Sequence, residues 1–167
     1  MLENQVGRRN RELAELLASR SWWLAVAESC TGGLLGSTIT DVPGSSAYFS
    51  GGVIAYSDDV KINFLGVPKD LIAVHGAVSE PVASEMAARC RMLLGADVAI
   101  ATTGIAGPGG GTACKPVGLV YVAVAVGHGV FVRSHRWAGT RTENKLATVE
   151  AALRLAVEAI AGDTGEA

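Results

Sequence analysis

The chain has 167 residues, 49% of them hydrophobic and 18% charged, with a mean hydropathy of +0.32; that is enough apolar material for a full core and excludes an intrinsically disordered protein. Lys and Arg number 14 against 16 Asp and Glu, a net charge of −2, so no global basic field exists to hold nucleic acid or an anionic membrane. The longest apolar stretch, Val117 to Val126, has ten residues, about half of the roughly 20 needed to span a bilayer.

Residues 4–20 read as a helix with Leu13, Leu16 and Leu17 on one face. Trp22 to Ala27 is a continuous apolar run, short enough for a buried strand. Glu28-Ser29-Cys30-Thr31-Gly32-Gly33 leads into a short helix, Leu34 to Thr40, and 41–46 is a loop by composition. Val53 to Tyr56 is a second strand, followed by short helices over 58–65 and 68–74. Ser79 can cap a stronger helix, with Pro81 in its first turn and Val82, Met86, Cys90 and Leu93 at helical spacing up to Gly95. Val98 to Thr103 is a third strand running into a glycine-rich loop at 104–112. Val117–Val126 and Val130–Trp137 form a hairpin around Gly127-His128-Gly129. Thr140-Arg141-Thr142-Glu143 matches a capping box for a last helix carrying Leu146, Val149, Leu153, Val157 and Ile160, and 162–167 is a loose tail.

Strands interleaved with helices, most of them buried runs, predict an α/β fold: a three-layer α/β/α sandwich with a mixed, mainly parallel sheet of about five strands. Without internal repeats or linkers, residues 1–167 are expected to form one domain. The start, Met1-Leu2-Glu3-Asn4, lacks a basic region before an apolar one, so no signal peptide is expected. Cys30, Cys90 and Cys114 are odd in number and lack a CxxC pattern, which argues against disulfides and makes a reducing cytoplasm the expected setting. His75, His128 and His135 have no ligand spacing, so neither a metal nor another cofactor is expected. Trp22, Trp23 and the hairpin supply apolar surface that would suit a homo-oligomer.

Several stretches could carry chemistry. Ser29 at a strand-to-helix junction could attack a carbonyl while free helix-start N–H groups stabilise the oxyanion; equally, Ser29 or Thr31 could be a simple N-cap. Cys30 is a rival nucleophile, because a helix N-terminus lowers a thiol pKa, and neighbouring side chains should point apart. Lys61 could be the base for a serine if burial lowers its pKa, with Tyr56 relaying a proton or orienting the amine. Asp58 and Asp59 would act in the opposite sense, and the bland alternative is a solvated lysine. Ser46 in Gly44-Ser45-Ser46 is a further hydroxyl, or a turn residue. The stretch from Thr102 to Thr112 suits a nucleotide but lacks GK[ST] and a third dinucleotide-type glycine, so it could equally be a plain surface hairpin. Arg141 opens the last helix, where an arginine beside free N–H groups would bind phosphate well.

Taken together, the pieces resemble the C-terminal domain family of the competence/damage-inducible CinA proteins. The resemblance rests on Ala27-Glu28-Ser29-Cys30-Thr31-Gly32-Gly33, Pro43 to Phe49, Tyr56-Ser57 with Lys61, and His75 to Glu80. Further on it includes Thr103-Gly104-Ile105-Ala106-Gly107-Pro108 with Gly110, and Lys115-Pro116-Val117-Gly118. Together the segments span roughly residues 5–162 in the family's order.

The family includes a stand-alone nicotinamide-nucleotide amidase. The resemblance therefore implies metal-free hydrolysis of the carboxamide of nicotinamide mononucleotide (NMN) to nicotinic acid mononucleotide and ammonia by a serine–lysine amidase. It implies Ser29 as nucleophile, Lys61 as base and Tyr56 as assistant. It further implies a substrate site drawn from Thr31, Gly32, Ser46, Thr103, Gly104, Ala106 and the phosphate anchor Arg141. The large N-terminal domain of full-length CinA proteins has no counterpart here, which points to the stand-alone deamidase. The alternative from another class is a non-catalytic domain that binds a nucleotide or a partner.

Overall fold

The computed structural model describes residues 1–163; of the expected loose tail, 164–167 lie outside the described residues. A five-stranded sheet has the order β2-β1-β3-β4-β5, with β1 Leu24–Glu28, β2 Phe49–Ile54, β3 Val98–Gly104, β4 Leu119–Val126 and β5 Gly129–Arg136. β1 pairs in parallel with β2 and β3, whereas β3/β4 and β4/β5 are antiparallel. The sheet is mixed, as expected, but not mainly parallel: the 117–137 hairpin adds two antiparallel ladders to the two parallel ones.

Alternation along the strands builds two unequal faces. Leu24, Val26, Val98, Ile100 and the valines at 120, 122, 124 and 126 face one way. They pack under α1 (Leu2–Arg20), α2 (Leu34–Thr40) and α6 (Arg141–Ala161). The intervening positions are largely alanine: Ala25, Ala27, Ala99, Ala101, Ala123 and Ala125. Small side chains let a helix lie close, and α5 (Glu80–Leu93) covers that face with Val82, Ala83, Met86, Ala87 and Cys90. The short α3 (Asp58–Asn63) and α4 (Lys69–His75) complete this layer through Leu65, which follows α3, and Ile72. The result is the three-layer α/β/α sandwich that the pattern predicts.

Local signals met mixed outcomes. The capping box of α6 forms: Thr140 accepts from the Glu143 N–H, and the Glu143 side chain accepts from the Thr140 N–H. Ser79 occupies the N-cap of α5, but its hydroxyl donates instead to the Gly76 carbonyl at 2.8 Å. β2 starts at Phe49 rather than Val53, because Gly51-Gly52 is strand, not turn. A Cβ on Gly52 would come within 2.4 Å of Val26 Cγ2 on β1, so the strands can approach there only with glycine. The first helix starts at Leu2, and β1 starts at Leu24 with Trp23 left 43% exposed.

Candidate active site

The carboxyl ends of β1 and β3 open side by side, and parallel strands commonly present ligand sites at that edge. Glu28 shares a face with Leu24 and Val26 and therefore turns toward α2; Ser29 shares the opposite face with Ala25 and Ala27. The Ser29 N–H donates to the Thr102 carbonyl at 2.9 Å, which carries the β1/β3 ladder one residue further and fixes the serine backbone. The next strand is fixed at the same edge, where the Ala55 N–H donates to the Glu28 carbonyl at 2.7 Å. Two residues on, Ser57 caps α3 through the Val60 N–H, and one helical turn from that cap lies Lys61.

Lys61 is only 1% exposed. Its Nζ donates to Ser29 Oγ at 3.1 Å, to the Ala55 carbonyl at 2.9 Å and to the Tyr56 carbonyl at 3.3 Å. Burial pushes the amine below the ordinary lysine value, against the opposing effect of Asp58 and a smaller one of Cys30. Asp58 Oδ1 lies 3.9 Å from Nζ, whereas Asp59 is exposed and forms no ion pair with Lys61. Desolvation therefore outweighs the flanking acids. Such a lysine can exist as the free amine that removes a serine proton.

Ser29, Cys30, Tyr56, Asp58, Lys61 and Arg141 line a pocket of about 280 Å³ whose other walls include Ala77, Val78 and the stretch Thr103–Gly107. Thr103 is pinned by a 2.9 Å bond from its hydroxyl to the Ala77 carbonyl. Gly104 abuts β4 so closely that a Cβ there would stand 2.8 Å from the Leu119 carbonyl oxygen. Arg141 reaches across the pocket mouth, donating to the Gly107 carbonyl at 2.7 Å and to the Tyr56 hydroxyl at 2.9 Å. The structure thus gathers Ser29, Tyr56, Lys61, Thr103, Gly104, Ala106 and Arg141 around one cavity.

Three expected substrate residues lie elsewhere. The Thr31 hydroxyl is buried against Glu28 Oε2 at 2.6 Å and Thr102 Oγ1 at 2.8 Å, on the α2 side of the sheet. Gly32 is exposed in the turn and is not a lining residue. Ser46 sits in the 3₁₀ turn Ser45–Ala47 just before β2. Because β2 starts beside Leu24, at the amino end of β1, this serine is roughly 15 Å from Ser29 along the strand direction. Cys30 differs from expectation twice: it lines the pocket together with Ser29 rather than pointing away from it, and burial pushes its thiol up to about 12 instead of the helix start drawing it down.

The helix-start amides are likewise not free. Glu28, 1% exposed, accepts from the Gly33, Leu35 and Gly36 N–H groups at 3.0, 3.0 and 2.7 Å, so a strand carboxylate caps α2 from outside the helix. Gly32 and Leu34 donate to the Ser29 and Thr31 carbonyls. Asn144, also missed, is 1% exposed; it accepts from the Gly139 N–H and donates to the Ala106 carbonyl at 3.0 Å, tying α6 to the pocket loop. Neither residue carries a local sequence signal, because the groups each one bonds lie at separations that match no helical or strand period.

Among the described residues no group of three or more His, Cys, Asp or Glu side chains converges as a metal site, and no helix is long and apolar enough to cross a membrane. The sequence profile of the CinA C-terminal domain matches residues 8–160. A CinA-like protein of Mycolicibacterium gilvum is 51% identical over 152 residues, covering 90% of this chain and 36% of that protein. A CinA-like protein of Chlorobium limicola is 52% identical over 158 residues, covering 92% and 35%. The chain therefore spans about a third of the length of these curated relatives. The competence/damage-inducible protein CihA of Agrobacterium tumefaciens superposes with a TM-score of 0.90 at 38% identity, over 94% of this chain and 96% of that one. The competence or damage-inducible protein of Enterobacter asburiae does so with 0.89 at 31% identity, over 93% and 98%. With the profile spanning nearly the whole chain and the same sandwich recurring in these relatives, the protein is a member of the CinA C-terminal domain family.

Proposed function

We propose that this chain hydrolyses the carboxamide of NMN to nicotinic acid mononucleotide and ammonia. The observation that carries this reading is the 3.1 Å approach of a buried, depressed-pKa Lys61 amine to the Ser29 hydroxyl inside a nucleotide-sized pocket.

In the acylation step neutral Lys61 takes the Ser29 proton as Oγ bonds to the amide carbon. The carbonyl electrons move onto oxygen as the tetrahedral adduct forms. Collapse of the tetrahedral adduct breaks the C–N bond, and the proton on Lys61 leaves with the nitrogen as ammonia. The resulting ester on Ser29 is then attacked by water. Lys61 takes one water proton and returns it to Ser29 Oγ as the acyl group departs as the carboxylic acid, which gives the second water proton to solvent on ionising. Tyr56 and Arg141, joined by their 2.9 Å bond, form the wall where the ribose phosphate is held, with Arg141 supplying the charge.

Ammonia release from NMN, nicotinamide riboside and nicotinamide, compared between the wild type and Ser29→Ala, tests the proposal. Release from NMN that disappears in the variant supports it. NMN binding without any release by the wild type would instead leave a nucleotide-binding domain.

A further inference from the structure

Among the residues lining the pocket, Asp58 is the one carboxylate and Arg141 the one guanidinium. They come from different elements and lie at different depths relative to the reacting pair. Asp58 begins α3, and its Oδ1 is 3.9 Å from Lys61 Nζ, so it stands beside the base of the reacting pair; its side chain is 58% exposed and open to whatever occupies the cavity. Arg141 begins α6 and is held at the mouth by Gly107 and Tyr56. The remaining walls near the serine are uncharged: Ala77, Val78 and Ile105.

When Lys61 is the free amine that the chemistry requires, the inner end of this cavity carries the single negative charge of Asp58, and the mouth carries a positive one. A ligand that matches both has its cation next to the scissile amide and its anion further out. We propose that Asp58 is a specificity-determining residue, selecting amides whose carboxamide is borne on a positively charged ring, so that the site prefers the oxidised pyridinium form of NMN to its uncharged dihydropyridine form. This rests on the NMN-amidase reading above.

Two physical consequences support the arrangement. A cationic ring beside Lys61 disfavours the protonated amine, so the bound substrate itself helps keep the base free. The product carries a carboxylate in place of the amide, and like charge against Asp58 disfavours its retention. An uncharged ring offers neither effect and would partly desolvate Asp58 without compensation.

The test measures kcat/KM for NMN and for reduced NMN, at alkaline pH, in the wild type, Asp58→Asn and Asp58→Glu. Any change in Lys61 basicity acts on both substrates, and the lower intrinsic electrophilicity of the dihydropyridine carboxamide is the same in every variant, so the change in the ratio on substitution isolates the ring charge. Asp58→Asn is expected to lower the oxidised-over-reduced ratio of the wild type by about tenfold, the size of one partly solvated charge pair. Asp58→Glu is expected to restore part of it. Calorimetric Kd values for both nucleotides on Ser29→Ala, with and without Asp58→Asn, should give the same trend without turnover. A ratio that Asp58→Asn leaves unchanged in kcat/KM and in Kd overturns the inference even if NMN is hydrolysed. Conversely, a wild type that releases no ammonia defeats the amidase reading, while the binding ratio still decides the role of Asp58.

Discussion

Lys61 Nζ donates to Ser29 Oγ at 3.1 Å across 32 positions of sequence, from a side chain closed to solvent. Because burial holds the amine below its ordinary value, the folded state binds fewer protons than the unfolded chain between the two lysine pKa values. Stability from this group therefore rises with pH through that window and is lost as pH falls through it. Activity should follow the same limb, growing as Lys61 sheds its proton. Asp58 pushes the amine upward, so Asp58→Asn should move the acid limb of kcat/KM to lower pH, measured with reduced NMN to keep ring charge out of the comparison. A limb that stays in place would remove Lys61 from the base role.

Ser29→Ala should lower kcat for NMN by about a thousandfold or more while leaving the Kd for NMN within a few-fold, because the side chain acts on the bond made in the transition state. Stopped ammonia release with retained calorimetric binding is the expected pair of results. Wild-type turnover in the variant would reassign the nucleophile.

Cys30, with its thiol pushed up to about 12, should be chemically inert at neutral pH. Iodoacetamide on the native protein should label the exposed Cys114 and spare the buried Cys30 and Cys90; after denaturation all three should react. Cys30→Ala should keep turnover within a few-fold. Loss of activity on alkylating Cys30 in the native state would show a thiolate that burial does not allow.

Glu28→Ala removes the acceptor of the Thr31 hydroxyl and of the Gly33, Leu35 and Gly36 N–H groups. Losing a cap and orphaning buried donors should cost about 3 kcal/mol or more in urea unfolding, and Glu28→Gln, which keeps an acceptor oxygen, should cost less. Equal midpoints for the wild type and Glu28→Ala would mean that α2 is held by its packing alone.

Arg141→Ala should raise KM for NMN by about tenfold or more and change KM for nicotinamide riboside far less, since the riboside lacks the phosphate. Equal effects on both would assign Arg141 to holding Gly107 and Tyr56 rather than to the anion.

Most of the sandwich and the core of the candidate site were legible in the chain. Buried runs such as Val98–Thr103 and the stripe of α6 have one reading in a two-sided sheet, and the Ser29, Lys61 and Gly104 stretches each sit where a strand ends. The failures have physical causes. Gly51-Gly52 has the composition of a turn, and only the closeness of Val26 makes it strand. Ser46 resembles Ser29 in its local setting, yet a parallel crossover delivers it to the opposite end of the sheet. The expected oxyanion amides at the start of α2 were claimed by Glu28, whose reach over eight residues to Gly36 has no periodic signature. Cys30 stands close to a helix end in sequence, but its desolvation, the larger effect, depends on packing that no short window encodes.

The floor of the cavity is made of strand ends braced by main-chain bonds, whereas its rim, the glycine-rich passage after β3, is main-chain bonded at Ile105 and held to α6 beyond it by the side chains of Asn144 and Arg141. Past Ile105 the rim is thereby less tightly built into the sheet than the floor. Lengthening or recolouring the rim would alter which molecules are admitted without disturbing how an admitted one is cut, so diversification of diet should be found there long before diversification of chemistry.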